Sequence, residues 1–165
     1  MSKIIEYSPI TAIANPLYHI ASPFSGKVTS LTAHSDAIFA LGVLGPGVLV
    51  ELTGELMVSP FDGKIEAIKQ GGVEWVLVSN LGQKLLLHLS IPWQFQTPEY
   101  LKLLKAHTNS ILLGEPLLRF ALPPSIEVSA SMVLLSDETS LTYYYVLKQV
   151  RAGLDPLITA AEEVK

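Results

Sequence analysis

Cysteine is missing from the 165-residue chain, and basic residues are few. Without cysteine there can be no disulfide framework, no thiolate zinc site and no cysteine nucleophile. Eleven lysines and arginines stand against fifteen acidic side chains, which gives a formal net charge of −4, and the basic residues do not cluster. Because a nucleic-acid-binding protein presents a basic stripe, we expect no nucleic-acid partner.

Long uninterrupted apolar runs are also missing, although 49% of the residues are hydrophobic. The most apolar stretch, residues 37–50, contains three glycines and a proline. A spanning helix needs about 20 continuous apolar residues, so we expect no membrane-spanning segment. The first residues lack the apolar core of a signal peptide. The sequence therefore predicts a cytoplasmic domain.

The clearest positive feature is a repeat of seven residues. Residues 22–28 read Ser-Pro-Phe-Ser-Gly-Lys-Val, and residues 59–65 read Ser-Pro-Phe-Asp-Gly-Lys-Ile, 37 positions later (59 − 22). Each copy is typical of a strand that enters a proline-led turn, with glycine where the backbone needs a positive φ. Two copies are too few for a solenoid, so we expect two facing sheets that the repeat relates.

Short apolar runs separated by turn residues predict an all-β fold. Residues 48–52 and 56–58 are predicted to pair as a hairpin. A second hairpin is predicted to join residues 75–79 to residues 84–89, and the latter strand is apolar on both faces, as expected of a central strand. One short helix is predicted to begin at Pro98, with its apolar face formed by Tyr100, Leu101, Leu103 and Leu104.

Three phrases in a fixed order carry a resemblance to a known family. Residues 44–48 contain a Gly-x-Gly loop, residues 57–63 contain one copy of the repeated Pro-x-x-Gly turn, and residues 85–91 hold a histidine that closes an apolar strand. In this order the chain resembles the glucose-type enzyme IIA of the bacterial phosphotransferase system, from about Tyr18 onward. The resemblance implies an antiparallel β-sandwich or barrel of the duplicated-hybrid-motif type, with short helices only.

The resemblance also implies the domain organisation and the chemistry. It indicates a single IIA-like domain over residues 1–165, with an N-terminal extension at 1–17 and a core at about 18–160. The histidine that matches His88 accepts a phosphoryl group from the carrier HPr in this family and passes it to a IIB domain. His88 is therefore the expected catalytic residue, with an HPr-like phosphocarrier and the IIB domain of a sugar transporter as partners and with no cofactor. Neutral imidazole is a good nucleophile near pH 7.

A partner-binding surface is expected around this histidine. The acidic-then-apolar stretch that begins at Asp36 resembles the family's docking face, and two aromatic residues follow His88 closely enough to extend it. The candidate partner-binding residues are Asp36, Ile38, Phe39, Val43, Leu44, Trp93 and Phe95. The walls of the depression around His88 are expected to be Phe39, Leu87 and Leu89.

One departure from the family concerns its second histidine. That residue lies about fifteen positions before the first, on the neighbouring strand, and donates to the phosphoryl oxygens. Counting back from His88 without a gap gives Val73, so we expect position 73 to lie beside position 88 without a donor. Onward transfer should then be slow, and Val73→His should speed it. The alternative hypothesis is a non-catalytic regulatory or binding protein that keeps the IIA fold and partner face but has lost efficient phosphotransfer.

Other chemistries lack their motifs. The chain has no His-x-His and no HExxH sequence, so we expect no metal site. It has no Gly-x-Ser-x-Gly sequence, which argues against a serine hydrolase. The remaining histidines, His19, His34 and His107, are single residues outside the family pattern and are expected to have no function.

Overall fold

The computed structural model describes residues 4–105, 109–136 and 140–163, and its regular elements are nearly all strands. The strands are β1 (Glu6–Tyr7), β2 (Pro16–Ala21), β3 (Gly26–Ser30), β4 (Gly47–Leu52), β5 (Leu56–Val58), β6 (Gly63–Lys69), β7 (Glu74–Ser79), β8 (Lys84–Ser90), β9 (Leu101–Leu103), β10 (Ser110–Ile111), β11 (Pro116–Phe120), β12 (Ser129–Leu134), β13 (Leu141–Tyr145), β14 (Gln149–Val150) and β15 (Pro156–Glu162). The helical elements of these residues are α1 (Ala37–Ala40) and four 3-10 turns at Ile10–Ala12, Leu31–Ala33, Gln70–Gly72 and Trp93–Phe95.

The strands form one large and two small sheets. The large sheet has the order β10-β6-β7-β8-β12-β4-β3-β14, and the small sheets have the orders β1-β13-β15-β2 and β5-β11-β9. Among the described strands, only the pairing of β1 with β13 is parallel. The predicted antiparallel all-β fold with short helices is confirmed, and β8 is central as expected. The expectation of two sheets is wrong, since the strands form three.

The repeat explains the third sheet. In both copies the first serine donates a hydrogen bond of 2.6 Å from its hydroxyl to the carbonyl of the phenylalanine two residues later. The amide of Ser22 donates to the carbonyl of Asp155 at 2.8 Å, and the amide of Ser59 donates to that of Glu115 at 2.9 Å. Asp155 directly precedes β15 and Glu115 directly precedes β11. Each copy of the repeat thus anchors a different small sheet against the shared large one.

The predicted hairpin of residues 48–52 and 56–58 is wrong. β4 pairs with β3 and β12 in the large sheet, whereas β5 pairs with β11 in the three-stranded sheet. Both the connection and β5 bond to the first repeat: Thr53 of the connection donates its amide to the carbonyl of Ser25, and Val58 of β5 donates to that of Pro23. These bonds carry the chain from one sheet to the other instead of folding it back on β4.

The predicted helix from Pro98 is wrong as well. A single turn, in which the amides of Tyr100 and Leu101 donate to the carbonyl of Thr97, leads directly into β9. β9 pairs with β11, where Leu101 lies opposite Phe120 and is buried. Pairing with an adjacent strand satisfies the backbone groups and buries Leu101 against the core, which an isolated short helix would not do.

We expect the repeated glycines to be sensitive to substitution. Gly26 and Gly63 occupy the same place in the two copies, and a Cβ at either would collide with a strand carbonyl, that of Glu51 or that of Val78. Gly26→Ala and Gly63→Ala should each lower the free energy of unfolding by about 1–3 kcal/mol or more. Urea denaturation would measure the effect.

A control is available in the turn that follows β4. A Cβ at Gly54 would meet only the side chain of Ser25, at 3.4 Å or beyond, which is ordinary van der Waals contact. Gly54→Ala should therefore change the free energy of unfolding by no more than about 0.5 kcal/mol. Equal losses in all three variants would contradict the proposed collision.

Candidate functional site

His88 faces away from the main core because of the alternation along β8. Leu85, Leu87 and Leu89 are fully buried in the main core cluster, and successive side chains of a strand point to opposite faces. His88 therefore lies on the other face of the large sheet. The expected walls Leu87 and Leu89 are wrong for this reason. A second apolar cluster covers this face instead and consists of Leu31, Phe39, Leu86 and Val133, with Val76 packed against it.

Phe39 is placed over His88 by the short helix α1. Asp36 precedes the helix, and its carboxylate accepts the amide of Ile38 at 2.9 Å, which is the hydrogen bond of an N-terminal cap. Two residues into the helix, Phe39 is buried, and its ring centroid lies 5.0 Å from that of His88. The apolar wall predicted from the sequence is present at this position.

The residue beside His88 on β7 is Glu74. The β7–β8 register pairs Glu74 with His88 directly, so the expectation that position 73 lies beside position 88 is wrong by one residue. Val73 is only 1% exposed and belongs to the main core cluster. A histidine introduced there would face the core, so the expected gain from Val73→His has no geometric basis.

Glu74 defines which nitrogen of His88 a ligand can reach. One carboxylate oxygen of Glu74 lies 3.7 Å from Nδ1 of His88, an ion-pair distance longer than a hydrogen bond. Nδ1 is buried and has no hydrogen-bond partner among the described residues. A neighbouring carboxylate favours the proton on Nδ1, as in carboxylate–histidine pairs elsewhere. The lone pair is then on Nε2.

The ring of His88 is held neutral near pH 7. Burial lowers the pKa of His88 below its ordinary value of 6.5, and this effect outweighs the opposing influence of Glu74 and Asp36, whose negative charges raise it. Neutral imidazole is the nucleophilic form. Burial thus determines the charge of the ring, against the opposing effect of the carboxylate, and the carboxylate also determines the tautomer.

A second histidine, for which the sequence predicted no function, lies in the same depression. His34 follows the 3-10 turn at Leu31–Ala33 and is 9% exposed. Its ring stacks on Phe39 with centroids 4.4 Å apart and planes at 12°, and lies 6.3 Å from the ring of His88. The prediction that His34 is an ordinary histidine missed this contact. The available signal was its place two residues before Asp36, directly ahead of the stretch assigned to docking.

A buried hydroxyl flanks His88 on its other side. Ser131 of β12 pairs with His88 in register and is fully buried. Its Oγ has no hydrogen-bond partner within the described part of the chain. Buried polar groups without partners are rare in folded proteins, and they occur at functional sites. His88 therefore has a carboxylate beside it on β7 and a buried, unpartnered hydroxyl beside it on β12.

The predicted partner-binding residues fall into two groups. Asp36 and Phe39 build the depression itself. Ile38, Val43, Leu44 and Trp93 expose apolar surface, and Trp93 is 82% exposed. Phe95 is half-buried and packs edge-on against Tyr100.

His19 does not contribute to this site. His19 lies on β2, where its Nδ1 is 2.7 Å from the hydroxyl of Thr159. His107 lies outside the described residues.

A groove of about 730 Å³ runs past His34 and is also lined by Ala33, Ser35, Leu49, Glu51 and Ser129, among others. His34 therefore borders both the depression and open surface.

No group of three or more histidine, aspartate or glutamate side chains in residues 4–105, 109–136 and 140–163 is arranged to hold a metal ion. Within the same ranges no helix is long and apolar enough to cross a membrane.

Comparison with solved structures agrees with the fold. Glucose permease IIA from Mycoplasma capricolum superposes with a TM-score of 0.71 at 16% sequence identity, over 86% of this chain and 94% of that chain. At this identity the similarity concerns the fold alone.

Sequence comparison identifies relatives that are much longer proteins. The glucose-specific and mannose-specific EIIBCA components of the PTS system of Corynebacterium glutamicum are 32% and 29% identical over 107 residues, which is 65% of this chain and 16% of each relative. The N-acetylglucosamine-specific EIICBA component of Klebsiella pneumoniae is 26% identical over 88% of this chain and 23% of its own length. The chain thus spans less than a quarter of the length of these relatives.

A family model covers both histidines of the depression. The model of the phosphoenolpyruvate-dependent sugar phosphotransferase system, EIIA 1, matches residues 18–134, well over half of the chain. The chain belongs to the EIIA 1 family of the phosphoenolpyruvate-dependent sugar phosphotransferase system.

Proposed function

We propose that the chain is a phosphocarrier in sugar uptake. His88 accepts a phosphoryl group from an HPr-like carrier and passes it to the IIB domain of a sugar transporter. The observation that carries this proposal is the burial of Nδ1 beside Glu74, which leaves Nε2 of His88 as the accepting nitrogen. Family membership adds support, and the relatives are named as components of sugar-specific PTS systems.

The transfer step uses the lone pair on Nε2. That lone pair attacks phosphorus, a nitrogen–phosphorus bond forms, and the bond from phosphorus to the donor's leaving atom breaks with its electron pair going to that atom. The proton on Nδ1 stays in place, so the phosphorylated ring carries a positive charge. The carboxylate of Glu74 lies on the Nδ1 side and stabilises this charge without meeting the phosphoryl group. Onward transfer is the same step in reverse, with IIB as acceptor.

The apolar surroundings protect the intermediate. Phe39 and the second apolar cluster cover one side of His88. Phosphoryl transfer depends mainly on positioning and on electrostatic stabilisation. Apolar side chains that keep water away from the phosphorylated ring favour transfer to a docked partner over hydrolysis. The exposed apolar residues of α1 and the following loop provide a surface on which such a partner can dock.

Phosphorylation should depend on His88. Incubation with phosphoenolpyruvate, enzyme I and HPr should add the mass of one phosphoryl group, and His88→Ala should abolish this gain in an intact-mass measurement. His19→Ala is the matched control and should leave the gain unchanged, because His19 lies in a different sheet. Binding of the carrier without any gain in the unmodified chain would contradict the proposal and favour the regulatory alternative.

Glu74 should act as a positioning residue. Glu74→Gln should slow phosphoryl acceptance about 10- to 100-fold, by analogy with the loss when the carboxylate partner of a metal-bound histidine is removed. Because the charge of Glu74 raises the pKa of His88, its removal should move the acidic limb of the pH–rate profile to lower pH. The other charged or titratable groups near His88, Asp36 and His34, are unchanged in this variant.

The matched control for this variant is Glu66→Gln. Glu66 lies on β6 and pairs with Lys84 at 2.9 Å on an exposed surface. This substitution should alter neither the rate nor the pH profile. A Glu74→Gln variant with a lower rate but an unshifted acidic limb would indicate a merely structural role.

Docking should depend on the exposed apolar residues near α1. Val43 is 69% exposed, so Val43→Asp should leave the fold intact while raising the KM for the carrier about tenfold or more, because a charge replaces apolar contact surface. Leu17→Asp introduces the same charge at an exposed apolar residue on β2; it is the control and should not change KM. Steady-state phosphotransfer measures both, and equal KM values would contradict this assignment.

A further inference from the structure

We infer that His34 is the second histidine of this site and donates its Nε2–H to the phosphoryl group carried by Nε2 of His88. The inference rests on the proposed function of His88. It assigns a transition-state donor to a turn of the chain outside the large sheet, where neither the repeat nor the predicted family position indicated one.

A backbone hydrogen bond sets the tautomer of His34. The amide of Asp36 donates to Nδ1 of His34 at 2.9 Å. A nitrogen that accepts a hydrogen bond carries no proton, so the neutral ring has its proton on Nε2. In His88 the carboxylate of Glu74 sets the opposite tautomer. His88 thus presents a lone pair on Nε2, and His34 presents a donor on Nε2.

Packing holds the donor in place before the phosphoryl group arrives. Phe39 contacts both histidines, with ring centroids 4.4 Å from His34 and 5.0 Å from His88. His34 is also nine-tenths buried and anchored by the bond from Asp36. Donors that are fixed beforehand stabilise developing charge without a cost of reorganisation during the reaction.

The hydrogen bond that Nε2 of His34 makes in this structure can be exchanged. The nearest acceptor is Oγ of Ser90, at 3.4 Å, which is long for a hydrogen bond. Ser90 lies two residues after His88, on the same face of β8. A phosphoryl oxygen on His88 carries negative charge and is a stronger acceptor than a hydroxyl. The donor therefore gains a better partner when His88 is phosphorylated.

His34 does not compete with His88 as the phosphoryl acceptor. Its Nδ1 lone pair is occupied by the amide of Asp36, and its Nε2 is protonated. Burial, followed by the influence of His88, lowers the pKa of His34, against the opposing charge of Asp36, so the ring is neutral near pH 7. No proton leaves His34 in the step, and the bonds that form and break are those at phosphorus.

The test is single-turnover transfer from the phosphorylated chain to the IIB domain of a glucose-type system, followed by rapid quench. His34→Leu removes the donor and should slow transfer about a hundredfold, the usual loss for one transition-state donor. His34→Gln keeps an amide donor near the position of Nε2 and should recover most of the rate. His19→Leu is the matched control, because it makes the same change on β2, and should transfer at the unmodified rate.

A second measurement does not depend on the variants folding. Nitrogen-15 NMR of the unmodified chain should show His34 protonated on Nε2 and His88 protonated on Nδ1. Phosphorylation of His88 should shift the Nε2–H resonance of His34 and slow its exchange with water. A rate of His34→Leu equal to that of the unmodified chain, or a proton found on Nδ1 of His34, would overturn the inference. Phosphorylation of His88→Ala would instead overturn the proposed function.

Discussion

The pairing of β8 with β7 on one side and β12 on the other is the constraint on which the site depends. This register places Glu74 and Ser131 on either side of His88. It also directs Leu87 and Leu89, which flank His88 along β8, into the core. Because side chains alternate with a period of two, a slip of one residue on β7 would bury Glu74 and expose Val73 to the depression. Burial of the apolar face opposes such a slip. Hydrophobic packing therefore selects the electrostatic partner of the histidine.

The fold class could be predicted because its signals are local. Turn residues separate the strands in the sequence, and the repeat marks two equivalent turns whose serine hydrogen bonds are the same in the structure. Strand partners are a different matter, since they depend on contacts between distant residues. β5 follows β4 after three residues (55 − 52) yet pairs with β11, because the intervening backbone bonds to the first repeat. The leucines after Pro98 fit a helix and a strand equally well, and only the neighbouring strand β11 decides between them.

Only the part of the site that depends on local sequence could be predicted. His88 closes an apolar strand, which is visible in the sequence, whereas the residue beside it depends on how the β7–β8 turn closes. The turn is centred on Leu81, and this shifts the partner from Val73 to Glu74. His34 is 54 positions before His88 (88 − 34) and lies outside the sheet, so no periodicity connects the two. Its proximity follows from the packing of both rings on Phe39.

His34 and His88 illustrate how one type of side chain can serve as a donor at one position and as an acceptor at another. An imidazole offers a lone pair or a proton on Nε2 according to what its Nδ1 contacts, and the two contacts here are of opposite kind. A backbone amide, which only donates, faces Nδ1 of His34, and a carboxylate faces Nδ1 of His88. Both partners lie on the Nδ1 side of their rings, so each sets the tautomer from the side opposite Nε2. A phosphoryl group needs a donor at a particular place, whichever strand or turn supplies it. The absence of a histidine beside His88 on β7 is therefore compatible with phosphotransfer, because His34, from the turn before α1, offers a donor in its place.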